Sequence, residues 1–225
     1  MAQFIYDAND HADDRGFTLV ELMVAMLLLG VAMAAIYSSY FSQQKSYVVQ
    51  TQVVAMQQNL RAAMHMMASD IRMAGYDKEN TGNFGLVSPL PDGQGAVNAT
   101  NIAFTIDLDE DGNLDNLTDT EMIAYRLNAN NIEKYGAASG WQIIARDIEV
   151  LNFIYLDSNR AETADLSSVR FVEISVLART ARADLDYANN NIYRNQQADL
   201  LYAGTGDNLR RKLLTSFIKC RNLGI

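Results

Sequence analysis

The sequence predicts an α+β fold: a long N-terminal helix, apolar throughout its first half, packed on a mainly antiparallel β-sheet head. Three observations lead there. Residues 17–37 read FTLVELMVAMLLLGVAMAAIY, an apolar run whose single charge is Glu21. After Tyr37 the chain meets neither proline nor glycine until Gly75. From residue 101 onward, short segments rich in β-branched and aromatic residues alternate with Gly, Asn and Asp. A greasy stem and a globular head account for all three.

Each element follows in turn. As a helix, residues 17–37 cover about 30 Å, the thickness of a bilayer's hydrocarbon core. The run is too long for the apolar region of a cleaved secretory signal, and no A-x-A site follows it. We read it as a transmembrane helix. Its flanks carry Asp7, Asp10, Asp13, Asp14 and Arg15 on one side and Lys45 on the other. The positive-inside rule counts Lys and Arg, so these flanks do not set an orientation.

Residues 38–74 continue the helix with one apolar face, made by Val53, Met56, Leu60, Met64, Met67 and Ile71 at spacings of three to four. Gly75 is the expected terminator. The methionines concentrated between Met23 and Met73 suit irregular core and stem packing. His65, with no second ligand nearby in the sequence, reads as structural. Residues 75–225 form the head, with strands expected at 102–108, 121–127, 141–146, 149–156, 169–178 and 213–220. Segments 77–100 and 181–208 read as loops.

Composition removes several function classes. Asp and Glu number 27 against 18 Lys and Arg, a net charge of −9 that does not draw the chain toward nucleic acid. The single cysteine, Cys220, excludes an internal disulfide and a multi-cysteine zinc site. The G-x-S-x-G, G-x-x-x-x-G-K-[ST] and H-E-x-x-H patterns are all missing. Cys220 reads as a packed thiol in a strand, and no enzymatic activity is expected.

Glu21 is the anomaly in the stem. A carboxylate inside a membrane helix costs on the order of 2.5–3.5 kcal/mol. Either it stays hydrated at the interface or it meets a cation once the protein assembles. The stretch Arg15-Gly16-Phe17-Thr18-Leu19-Val20-Glu21, followed by an apolar helix, resembles the type IV prepilin processing site. That resemblance implies cleavage between Gly16 and Phe17 by prepilin peptidase, N-methylation of Phe17, and an assembly role for Glu21 as the glutamate at the fifth mature position. Glycine lets an enzyme approach the backbone closely. Glu21 lies about 6 Å along the helix axis from Phe17, so a staggered neighbour can bring its terminal amine to the carboxylate. Pairing then offsets a desolvation cost neither charge bears alone. The leader, residues 1–16, is longer and more acidic than is usual in that family. Gly30 matches a glycine where such helices loosen, while the proline common eight residues later is Ser38.

The head extends the likeness. Residues 57–77 (QQNLRAAMHMMASDIRMAGYD), the acidic hairpin leading into EMIAYRL, and residues 209–224 (LRRKLLTSFIKCRNLG) resemble PilW-type minor pilins. They are similar also to the J pseudopilin of type II secretion. The resemblance implies a pilin-like lollipop in which 17–37 becomes filament core. It also implies a single-pass inner-membrane protein with its head on the periplasmic or external side. Such a minor pilin helps prime filament assembly and stays at or near the tip. The partners implied are prepilin peptidase, other minor pilins and the major pilin, the inner-membrane assembly platform, and membrane lipid before assembly. A type II secretion pseudopilin and a calcium-dependent adhesive or ligand-binding tip module stay open as alternatives.

The head carries one metal-like pattern. Asp107, Asp109, Asp111, Gly112, Asn113 and Asp115 follow the D-x-D-x-D-G spacing of an EF-hand-type calcium loop, with Leu114 expected to face inward. The twelfth position, where a bidentate Glu belongs, is Thr118, so a full EF-hand is excluded. The residues then form either a calcium loop inside a β-hairpin or a solvated acidic turn. Arg210, Arg211, Lys212, Lys219 and Arg221 cluster near the C-terminus, either as a phosphate or acidic-partner contact or as a solvated edge strand.

Overall fold

The computed structural model describes residues 16–224 apart from 92, 94–95, 115–120 and 137–138. The chain divides into two compact units, Met1–Val48 and Val49–Ile225. Helix α1, Leu19–Met73, begins in the first and ends in the second.

In the first unit the helix is built from Leu, Met and Ala, all strong helix formers. Its large apolar side chains, including Leu22, Met26, Leu29 and Met33, are more than half exposed. An exposed apolar surface of this extent marks a membrane or protein interaction surface. The helix is long and apolar enough to cross a membrane.

In the second unit the last turns of α1 change character. Met56, Leu60, Ala63, Met64, Met67, Ala68 and Ile71 are buried along one face, and Val53 packs beside them. They form a single core with Ile102, Phe104, Tyr125, Ile132, Ile148, Leu151, Phe153, Ile174 and Val176 from the sheets. The helix stops where Gly75 takes φ +75°, with the Leu223 side chain so close that a Cβ on residue 75 would sit 2.5 Å from it. Backbone freedom and close approach both require glycine there. The Met73 carbonyl at the helix end accepts from the Tyr76 N–H at 2.9 Å and from the Asn222 side chain at 3.3 Å.

Nine strands follow among the described residues. β1 (Asn101–Thr105), β2 (Met122–Asn128), β3 (Asn131–Gly136) and β4 (Gly140–Ala145) form one antiparallel sheet in that order. β5 (Ile148–Leu156), β6 (Phe171–Arg179) and β9 (Arg211–Lys219) form a second antiparallel sheet, with β6 central. β7 (Ile192–Arg194) and β8 (Leu200–Ala203) make a small hairpin.

Three expectations need correction. The 181–208 segment is not only loop, because it holds β7 and β8. These strands are short and largely exposed, so they lack the apolar run that marks a strand in sequence. β3 was also unmarked, since only Ile132 of its six residues is buried. Cys220 lies one residue past β9 rather than within it, although it is buried.

Candidate functional site

At the stem's start, Phe17 is 90% exposed, and a Cβ built on Gly16 meets nothing within 4 Å. Among the described residues, no contact calls for glycine at position 16. Thr18 and Glu21 close the first helical turn on each other. The Thr18 backbone N–H and hydroxyl both donate to Glu21 Oε2 at 2.9 Å, and the Glu21 N–H donates to Thr18 Oγ1 at 3.3 Å. This reciprocal arrangement is a capping box. Its T-x-x-E signature is visible in the sequence at Thr18 and Glu21.

The acidic loop joins β1 to β2. Register pairs Thr105 with Met122, and the Ile106 N–H donates to the Glu121 carbonyl at 2.9 Å, so Glu121 stands at the base of the hairpin. One carboxylate oxygen from each of Asp107, Asp109, Asp111 and Glu121 lies within 4.8 Å of the other three. Asp107 is 1% exposed and Glu121 3%. Each pair of like charges at that separation costs on the order of 1 kcal/mol even at the dielectric of water.

Local bonds shape the loop. The Asp111 N–H donates to Asp109 Oδ1 and the Asn113 N–H to Asp111 Oδ1, at 3.2 and 2.8 Å. The Asn113 side-chain amide donates to the Asp111 carbonyl at 3.4 Å. Gly112 has φ +71° and packs against Glu79 and Thr81. Lys78 pairs with Glu110 outside the four-carboxylate group. That contact holds the Glu110 carboxyl below its ordinary range and raises the Lys78 ammonium.

The D-x-D-x-D spacing brings Asp107, Asp109 and Asp111 together, and the hairpin adds Glu121, which that spacing does not include. The signal was present: a glutamate immediately before the return strand, in place of one at the twelfth position. Asp115 lies outside the described residues. Leu114, expected to face inward, is 43% exposed. Among the described residues, no helix pair flanks the loop.

Comparisons with known proteins fall on the same two units. Residues 12–37 match the prokaryotic N-terminal methylation motif. Residues 49–196 match the family described as prepilin peptidase-dependent protein B. The chain belongs to that family. It is a type IV pilin-like protein. The family is structural and generally non-enzymatic. The chain is 37% identical over 78 residues to the pilin-like protein PilA3 of Thermus thermophilus, an alignment covering 34% of this chain and 33% of that one. It thus spans about a third of that relative. A type IV-like pilin structure from Thermus thermophilus aligns with 75% of this chain and 98% of its own, at 15% identity and a TM-score of 0.47.

In the pilin-like head, the C-terminal basic cluster is not simply a solvated edge. β9 is an edge strand, but the Arg211 side chain is 1% exposed. It pairs with Glu149 on β5 and holds both Asp207 oxygens at 2.6 Å. Arg210 bonds Asp184 at 3.0 and 2.8 Å. These internal carboxylates engage two of the five cations, while Lys212, Lys219 and Arg221 are exposed.

Proposed function

We propose that this chain is a minor pilin of a type IV pilus that helps prime filament assembly and resides at or near the tip. The observation that carries the reading is one chain joining an N-terminal methylation motif at 12–37 to a prepilin peptidase-dependent head at 49–196. Residues 17–37 hold the subunit in the inner membrane, with the head on the periplasmic side. Prepilin peptidase cuts between Gly16 and Phe17 and methylates the Phe17 amine. The assembly platform then moves the stem from lipid into a bundle of other stems, which covers the same apolar side chains.

Glu21 guides this transfer. In lipid its carboxylate is satisfied by its own Thr18, a reading the two 2.9 Å bonds support. In the filament a staggered neighbour presents its Phe17 amine or the equivalent. The ion pair then offsets the loss of solvation on both groups and sets the axial register. Heads meet other minor pilins through the α+β surface.

The test is incorporation. A Glu21→Ala chain, expressed in place of the wild type, is expected to be cleaved and to keep a folded head yet be missing from sheared filaments. Normal incorporation contradicts the pairing. Immunogold labelling distributed along the whole shaft contradicts the tip location, and loss of secretion with intact pili shifts the role to a type II pseudopilin.

A further inference from the structure

We propose that the hairpin base formed by Asp107, Asp109, Asp111 and Glu121 is a calcium site. The four carboxylates approach within 4.8 Å of one another, which is the span of oxygens around one ion with ligands at about 2.3–2.6 Å. An acidic cluster alone is weak ground, because exposed carboxylates gather on many loops. Here the independent observation is Asp107. Its side chain is 1% exposed, and its Oδ1 is buried with no hydrogen-bond partner among the described residues. A buried ionised oxygen left without a donor is costly, and a cation supplies what the chain does not.

The architecture suits the ion. Asp107 leaves β1, Glu121 enters β2, and Asp109 and Asp111 lie on the connecting loop, so one ion ties both strands to their turn. The Leu108 N–H donates to Glu121 Oε1 at 3.2 Å, and the Lys78 N–H donates to Asp107 Oδ2 at 3.3 Å; both bonds help fix the carboxylates. Hard oxygen donors without His or Cys favour calcium over zinc, and a crowd of carboxylates favours calcium over magnesium, which prefers to keep its water. Glu121 takes the part that the twelfth-position glutamate plays in an EF-hand, delivered by a strand three residues later. The proposal needs from the assembly reading only a head that faces a calcium-containing medium.

The experiment uses the full chain in detergent, stripped with chelator and titrated with CaCl2 or MgCl2 by calorimetry and thermal unfolding. Saturable binding of one Ca2+ with Kd in the range of about 0.1–1 mM is expected, with a rise in melting temperature that chelator reverses. Asp109→Asn with Asp111→Asn, both at exposed positions, is expected to weaken binding at least tenfold. Glu121→Gln should do the same, and Glu110→Gln should leave it unchanged. No saturable heat up to 10 mM (about ten times the weakest expected Kd), equal affinity for Mg2+, or unaltered binding in the Asn or Gln ligand variants overturns the site. Because binding is measured on purified protein, its failure leaves the assembly reading standing.

Discussion

Thr18 and Glu21 bond each other in both directions, so the glutamate proposed for filament pairing is also the residue that starts its own helix. The two roles compete for one carboxylate. Docking of a neighbour's amine must draw Glu21 Oε2 away from the Thr18 N–H or share it. A Thr18→Ala chain is therefore expected to show faster amide exchange at Leu19–Glu21 in micelles, with head amides unchanged. Equal protection in the variant and the wild type contradicts the cap.

Inside the head, the buried Tyr125 hydroxyl donates to Asp70 at 2.5 Å, and Lys134 reaches the same oxygen at 2.6 Å. This ties α1 to β2 and β3. Burial, helped by the Asp70 charge, pushes the Tyr125 phenol well above its ordinary range, so it stays a donor at any working pH. Tyr125→Phe is expected to cost about 1.5–3 kcal/mol, the usual value of a hydrogen bond to a charged group. Denaturant unfolding of the full chain measures it.

Acid sensitivity follows from Asp207. Arg211 grips its carboxylate with two bonds and lowers its pKa to about 2 from an ordinary 3.8. A group with a depressed folded pKa stabilises above its ordinary value and loses that contribution as pH falls toward the folded value. Head stability should fall between about pH 4 and pH 2, and Asp207→Asn should flatten that part of the profile. Arg211→Lys should lower the melting temperature at neutral pH, because an ammonium cannot fork across two carboxylates.

Cys220 is buried, and burial pushes its thiol up to about 12. It should resist alkylation at pH 8 in the folded chain and react at once in denaturant. Labelling of the native protein at the denatured rate would show that the C-terminal packing is wrong.

Much of this fold was legible because its signals were strong and local. The all-apolar run 17–37 and the three-to-four spacing from Val53 to Ile71 each fit a single helical period. The long strands β5 and β6 are apolar enough to stand out. β3 was not, because it alternates Ile132 with Glu133 and Lys134 and follows a two-residue turn at Ala129-Asn130. Both turn residues have positive φ, yet neither is the glycine that normally marks such a hairpin. β7 and β8 are held by their own cross-strand pairing, Tyr193 against Tyr202, whose register the sequence does not display. At the candidate sites the pattern was the reverse. Local spacing revealed Gly16, Phe17, Glu21 and the Asp107–Asp111 alternation. Glu121 required the strand pairing that brings residue 121 beside residue 106, and the partners of Arg211 required the sheet to put β5, β9 and Asp207 together.

The most direct test of the account is the mass of the mature N-terminus. The chain is expressed with an active prepilin peptidase, recovered from membranes, and its N-terminal peptide is sequenced by mass spectrometry. The account predicts a peptide beginning at N-methylated Phe17, and the uncut chain when Gly16 is replaced by a bulky residue. A start at any other residue, or an intact leader in the presence of active peptidase, contradicts it.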